Sequence, residues 1–316
     1  MNDTERNHIE PYAVVIGGAN VDICGTPQIA LAMKDSNPGE ITTSPGGVAR
    51  NIAENLTLLG ANCCLITAVG NDQNGDFLIE HGKSVGMDME AVLHIDGTAT
   101  SSYLSVLDVN GDMFVAISDM NITERIDVEH LRTHNELIKN SAVIITDTNL
   151  SDEIYPYLAN HFGDKPLMVD TVSAVKALRI KPYLSTVHVL KTNSIEASAI
   201  SGIAVGENQE TAQWFHQQGV KFLVITLGAE GIFYSEQGAR TLLVNNDHNS
   251  KVVNASGAGD AFVAGIAYGE LNKWEFSEAI KFADAAATLT IRSDTTINPA
   301  MSFLAVNKIK EKKHGC

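Results

Sequence analysis

The chain has 316 residues, 44% of them hydrophobic, and a formal charge of −16 at pH 7. An acidic balance of this size excludes general nucleic-acid binding and docking on anionic membranes, but not one phosphate compound held by main-chain amides. No apolar stretch reaches spanning length and the opening MNDTERNHIEPY has no apolar signal core, so a cytoplasmic, reduced protein is expected, with no membrane and no nucleic-acid partner.

In chain order, short apolar β-branched runs alternate with helical stretches. The runs at 13–16, 64–69, 142–146, 167–170, 186–191 and 222–227 carry Val, Ile and Leu without polar alternation, as strands covered on both faces do. Helical periodicity falls at 49–59, 75–85, 196–201 and 209–218, and two Ala-rich helices follow at 259–271 and 275–290. Strand–helix alternation of this kind predicts an α/β protein, a mainly parallel sheet with helices on both sides. Residues 18–45 interrupt the pattern with Gly, Pro and Asn, and 99–120 alternate around Asn110-Gly111, a strong hairpin signal. Together they predict a small β lid over a single domain spanning 1–316, the competing reading being a hairpin that extends the main sheet. Cys24, Cys63, Cys64 and Cys316 form no CxxC pair, so they read as small core residues rather than metal or redox centres.

The sharpest local feature is Ala255-Ser256-Gly257-Ala258-Gly259-Asp260 at the start of a helix. Small residues there leave main-chain N–H groups unshielded, and the helix dipole adds positive potential, which suits a phosphate or a transferring phosphoryl group. A carboxylate at the same tip, Asp260, can accept the proton of an attacking hydroxyl. Gly46-Gly47 and Asn51 open another helix, and Asn20 and Asp22 follow the first strand; these residue types suit a sugar diol. Each alone is also ordinary turn chemistry, and Asn193 with Glu196 three residues on also reads as a helix capping box. Gly82-Lys83-Ser84 ends like a phosphate-binding loop, but Phe77 stands at the earlier glycine position, so a surface turn is expected.

Six pieces in series, GGANVD at 17–22, SPGGVARNIA at 44–53, AVGNDQNG at 68–75, LKTNSIEA at 190–197, TLGAEG at 226–231 and NASGAGDAFVAG at 254–265, resemble the ribokinase-like (PfkB) carbohydrate kinase family over nearly the whole length. The resemblance implies a three-layer α/β/α core with a β lid, and ATP-dependent phosphorylation of an alcohol. It implies Asp260 as base, with Gly257, Ala258 and Gly259 as anion hole, and Asn20, Asp22, Gly46, Gly47 and Asn51 around the ribose. It further implies Asn193, Thr226, Gly228 and Gly231 at the nucleotide and Glu196 near Mg2+. The segments 35–39, 100–105 and 116–122 are similar to those of members that act on pseudouridine, with Ser102 and Asn121 among the residues that would read the base. The acceptor so implied is the 5′-hydroxyl of pseudouridine; ribose, fructose, adenosine or a non-catalytic sugar-binding role are the alternatives. Asn254 stands where many members carry an Asp that helps hold K+, which puts monovalent-cation activation in doubt. An apolar outer face on such a lid makes a homodimer the default expectation.

Overall fold

The computed structural model describes residues 10–238, 242–244 and 252–315, so the readings of the first nine residues and of Cys316 lie outside the described residues. Strand β1 (Tyr12–Ile16) is followed by β2 (Asn20–Pro27), β3 (Gly39–Gly46), α1 (Val48–Leu58), β4 (Asn62–Ile66), β5 (Ala68–Gly70) and α2 (Gln73–Ser84). Next come β6 (Leu93–Ile95), β7 (Ser102–Leu107), β8 (Met113–Asp119), α3 (Val128–Thr133), α4 (Asn135–Asn140), β9 (Val143–Asp147) and α5 (Ile154–Phe162). The chain continues through β10 (Leu167–Asp170), α6 (Ala174–Ala177), β11 (Val189–Asn193), α7 (Ser194–Ser201), α8 (Asn208–Gln217) and β12 (Phe222–Thr226). It closes with β13 (Ile232–Glu236), β14 (Leu242–Val244), α9 (Ala258–Leu271), α10 (Phe276–Thr290) and α11 (Phe303–His314).

Eight strands form the main sheet in the order β14-β13-β12-β11-β10-β9-β1-β4, parallel from β4 to β12 and antiparallel at β13 and β14. The runs are apolar without alternation because each strand feeds two cores. Ala13 and Val15 of β1 face α1, α9 and α10, while Val14 and Ile16 face α5, α7 and α8. The result is the expected three-layer α/β/α arrangement, with helices on both faces of a mainly parallel sheet.

A second sheet, β3-β2-β7-β8, is built from the two segments that broke the alternation, with β2 and β7 parallel and the outer pairs antiparallel. The 110–111 hairpin therefore extends this sheet and not the main one. Its register gives two unlike faces. Asp22, Ser44, Tyr103 and Ser118 share one row, and the adjacent row on the opposite face carries Ile23, Thr43, Leu104 and Ile117. Leu104, Val115, Ile117 and Ile41 are 40%, 48%, 63% and 76% exposed, so the outer part of that second face is an apolar surface open to solvent.

Three local readings differ from the structure. The run 64–69 is not one strand: β4 ends at Ile66, the Thr67 hydroxyl donates to Gly17 O at 2.7 Å, and β5 pairs with β6 instead. The strand expected from 186 starts at Val189, because Leu178–Thr186 coil into a 3-10 helix around Pro182. Gly82, Lys83 and Ser84 form the last turn of α2 and not a surface turn, with Gly82 packed on Met89.

Candidate active site

The carboxyl ends of β1, β9, β10 and β11 and the tips of α1 and α9 converge. Open parallel sheets offer their crevice at this edge, because the strand-to-helix turns leave polar groups there without sheet partners. Asp147 at the end of β9 is fully buried, and its Oδ2 accepts from Gly18 N at 2.8 Å and Ala49 N at 3.2 Å. That carboxylate ties the turn after β1 to the first turn of α1, and so fixes Asn20, Asp22 and Asn51 relative to one another.

Helix α9 begins at Gly257, whose φ of 75° is the left-handed conformation that only glycine adopts without strain. A β-carbon at 257 would also run into the Thr296 carbonyl. Ala258 N reaches Ala255 O only at 3.5 Å, and the regular helical ladder starts with Ala261 N on Gly257 O at 2.9 Å. The amides of Gly259 and Asp260 are therefore left to point out of the helix tip, as expected of first-turn N–H groups.

Asp260 lies in this first turn, 9% exposed. Burial pushes its carboxyl pKa up, and repulsion from Asp170 adds to this; Asn51, Lys191 and Arg50 oppose it, leaving the value at about 7. A carboxylate with that affinity is half ionised near neutrality, the range in which a general base works best. Its Oδ2 accepts from Asn51 Nδ2 at 2.7 Å, across 209 positions of sequence.

The remaining predicted residues divide into three groups. Asn20 donates to Asp22 Oδ1 at 2.6 Å, and Asp22 lies so close over Gly46 that no side chain would fit there. Burial raises the Asp22 pKa against the opposing pull of Asn20 and Arg50. Gly47, at φ 99°, caps α1 and packs on Gly18 and Ala19. Asn193 and Glu196 form a complete capping box on α7: Asn193 Oδ1 accepts from the Ile195 and Glu196 amides at 2.9 Å, and Glu196 Oε2 accepts from Asn193 N at 3.0 Å. Glu196 Oε2 also takes the Thr171 hydroxyl at 2.5 Å. Thr226 is the register partner of Asn193, and Gly228 and Gly231 turn the chain just beyond it, at φ 61° and 108°. Ser102 and Asn121 stand apart from both groups. Ser102 pairs with Val21 and so shares the face opposite Asp22, bonding Thr100 O and Asn74, while Asn121 is exposed and bonds Asp119.

Four site residues went unnoticed in the sequence: Arg50, Asp147, Asp170 and Lys191. Lys191 Nζ pairs with Asp170 Oδ2 at 2.9 Å and sits where a side chain on Gly259 would have to go, bringing an ammonium to the helix tip. Burial pulls its pKa down, but Asp170, Asp260 and Glu196 outweigh that and hold it above the usual value. Arg50 is 2% exposed. A signal was available for both: each is a lone cation inside an otherwise apolar or small-residue motif, which buries a charge only where a carboxylate waits.

Among the described residues no cluster of three or more His, Cys, Asp or Glu is arranged to hold a metal. Glu196, the residue expected near Mg2+, commits its Oε2 to the α7 cap and the Thr171 hydroxyl, so Mg2+ here would be bound chiefly through phosphate oxygens and water. No described helix is long and apolar enough to cross a membrane.

Residues 10–302 match the model of the pfkB family carbohydrate kinases. Pseudouridine kinase of Escherichia coli K12 is 39% identical over 307 residues, 95% of this chain and 96% of the relative. The crystal structure of a Clostridium perfringens protein described as a sugar kinase superposes with a TM-score of 0.84 at 34% identity, covering 96% of both chains. Arabidopsis thaliana ribokinase, solved with ribose and ATP, superposes with a TM-score of 0.84 at 21% identity over 96% of this chain and 99% of that one, a likeness of fold. With the family model matched over residues 10–302, this chain belongs to the pfkB family of carbohydrate kinases.

Proposed function

We propose that this protein transfers the γ-phosphoryl group of ATP to the 5′-hydroxyl of pseudouridine. The observation that carries the chemistry is Asp260, buried at the tip of α9 with a pKa near 7 and held by Asn51. The 39% identity to a pseudouridine kinase over nearly the full length of both chains supports the acceptor.

The acceptor lies between the polar face of the second sheet and the main-sheet edge, its ribose diol against Asp22, Asn20, Gly46 and Gly47. Asp260 takes the hydroxyl proton as the acceptor oxygen bonds to phosphorus and the bond to the ADP leaving oxygen breaks. Of the tip 257–260, the amides left free at Gly259 and Asp260, with the Lys191 ammonium, stabilise the negative charge on the transferring group, where fixed dipoles in a dry site act most strongly. ATP runs from the helix tip toward Asn193, Thr226, Gly228 and Gly231. Mg2+, held near Glu196 and the phosphates, would supply charge neutralisation there. Residues 18–45 and 99–120 act as a lid on a single kinase domain, excluding water so that ATP is not spent without an acceptor. Asn254 commits its side chain to Ser256 N at 2.9 Å and Asp294 O at 3.2 Å, and activity without added K+ follows from this reading. The apolar outer face around Leu104, Val115 and Ile117 pairs with its copy in a homodimer.

An ADP-release panel with pseudouridine, uridine, ribose, fructose and adenosine tests the acceptor. The highest kcat/KM is expected for pseudouridine. A preference for any other member of the panel overturns that acceptor, and no ADP release with any of them despite measurable ligand binding overturns the kinase itself.

A further inference from the structure

A line of buried polar side chains runs from the catalytic carboxylate back through α1. Asn51 Nδ2 donates to Asp260 Oδ2, and Asn51 Oδ1 in turn accepts from Arg50 Nη2. Arg50 Nη1 pairs with Glu54 Oε2, and the same oxygen meets His81 Nε2 from α2 at 3.0 Å. Two further Arg50 donors are also used: Nε gives to Gly46 O at 2.9 Å and Nη2 to Pro45 O at 3.0 Å. The guanidinium is thus fixed on both sides, 2% exposed, by one carboxylate and two carbonyls.

The consequence lies in Asn51. An amide presents an acceptor or a donor depending on which way it is turned, and the two ends differ little in shape. Arg50 has only donors, so it can satisfy Asn51 only through Oδ1. Once Oδ1 is taken, Asn51 must offer Nδ2 to Asp260. A donor on Asp260 Oδ2 favours the ionised carboxylate and leaves Oδ1 as the oxygen that receives a proton. Were the amide reversed, its oxygen would face the carboxylate and favour the protonated form, which cannot act as a base.

We propose that Arg50 is a positioning residue for phosphoryl transfer, holding the Asn51 amide in the one orientation that keeps Asp260 ready to accept a proton from the acceptor hydroxyl. Glu54, with His81 behind it, holds Arg50 in turn. This deepens the reading of Asp260 as the base and rests on it. The charged groups that face Asp260 are Arg50 from α1, Asp170 from β10 and Lys191 from β11, and of these only Arg50 touches the amide that contacts the base. The role is also distinct from charge alone. Lysine at 50 keeps the positive charge but cannot satisfy Asn51, Glu54 and two carbonyls from one ammonium with a single geometry.

A mutant cycle tests this: Arg50→Lys, Asn51→Ala and the double variant, with kcat, the acid limb of kcat/KM and the melting temperature measured for each. Arg50→Lys is expected to lower kcat roughly tenfold and to move the acid limb to higher pH, while in the Asn51→Ala background the same change costs less than about twofold more. Losses that multiply, or a full kcat in Arg50→Lys, overturn the proposal, as does a loss of kcat with an unmoved acid limb. If Arg50→Lys does not fold, Glu54→Gln replaces it in the cycle, with the same non-additivity expected and the same multiplying outcome fatal. Asp260→Asn run alongside separates the two ideas. An active Asp260→Asn sinks the base; an inactive one with an additive cycle sinks only the role of Arg50.

Discussion

Replacing Asp260 by Asn probes the site in two directions at once. The rate should fall on the order of a hundredfold to ten-thousandfold, the usual worth of a positioned base. Asparagine keeps the shape and can still accept from Asn51, so nucleotide binding should survive. Stability should move the other way. The folded protein holds a proton on Asp260 up to about pH 7, whereas an ordinary Asp releases it near 3.8. Between those values the native state binds more protons than the unfolded chain, so this group erodes stability as pH rises through the window, and the cost is complete above about 7. A carboxyl raised from 3.8 to about 7 corresponds to at most about 4 kcal/mol, with the attractions to Lys191 and Arg50 already netted within it. The Asn variant should therefore melt higher than the parent at about pH 8, with the difference shrinking to near nothing at about pH 4. In the parent, only roughly a tenth of the carboxylate is ionised at pH 6, so log kcat/KM should fall with unit slope below about pH 7. Stopped-time ADP release across pH and thermal melts at the two pH values provide both readouts. Near-normal turnover in the Asn variant, or a parent profile flat from about pH 5.5 to about pH 8, refutes the reasoning.

Other expectations are simpler. Asp22→Ala removes a charged hydrogen-bond acceptor for the ribose, and KM for pseudouridine should rise about ten- to a hundredfold while KM for ATP stays within about twofold; steady-state titration of each substrate checks it. Gly257→Ala forces a β-carbon toward the Thr296 carbonyl at φ 75° and should cost about 1–3 kcal/mol, read as a lower melting temperature together with lost turnover. On the proposed homodimer, Ile117→Lys places a charge on the exposed apolar face of the second sheet and should shift the mass in light scattering from that of two chains to that of one.

How far these features were legible in the sequence depends on their range. Residues 167–170 could be read as a strand to the residue, because a fully covered strand needs an uninterrupted apolar run and nothing else makes one so short. The run 64–69 misled for the same reason: hydrophobicity continues through Thr67, and only a hydrogen bond to Gly17, fifty positions away, ends β4 there. Helices α3 and α4 were not singled out, being six residues each, while the helical spacing of Ile154, Tyr155, Leu158 and Phe162 in α5 was a usable signal that went unused. Helix α11 had a usable signal, Ser302 as cap and Lys312-Lys313-His314 in its last turn, which went unused. Within the site, Asn51 and Asp260 were each visible in a glycine-flanked motif, but their contact is a tertiary fact that no local pattern encodes. Asn193 and Glu196 illustrate the converse. The capping box is present in full, so the same two residues that were candidates for the nucleotide also have a structural task. Ser102 came from the likeness of residues 100–105 to members that act on pseudouridine; the register turns it to the face away from Asp22, a parity that depends on how β2 and β7 align.

Helix α9 is buried along most of its length, wedged between α1 and α10, with Gly265 against Ala283 and Gly269 against Ala279. Strands β2, β3, β7 and β8, by contrast, join the main body through the short connections after β1, into α1, before β7 and after β8. The two meet at the end of β3, where the Pro45 and Gly46 carbonyls hold the Arg50 guanidinium that holds Asn51 against the base. Swapping these strands for those of another alcohol kinase while keeping Pro45 and Gly46 should redirect which alcohol is accepted without retuning the reactive carboxylate, which puts the natural seam for chimeras just before Pro45.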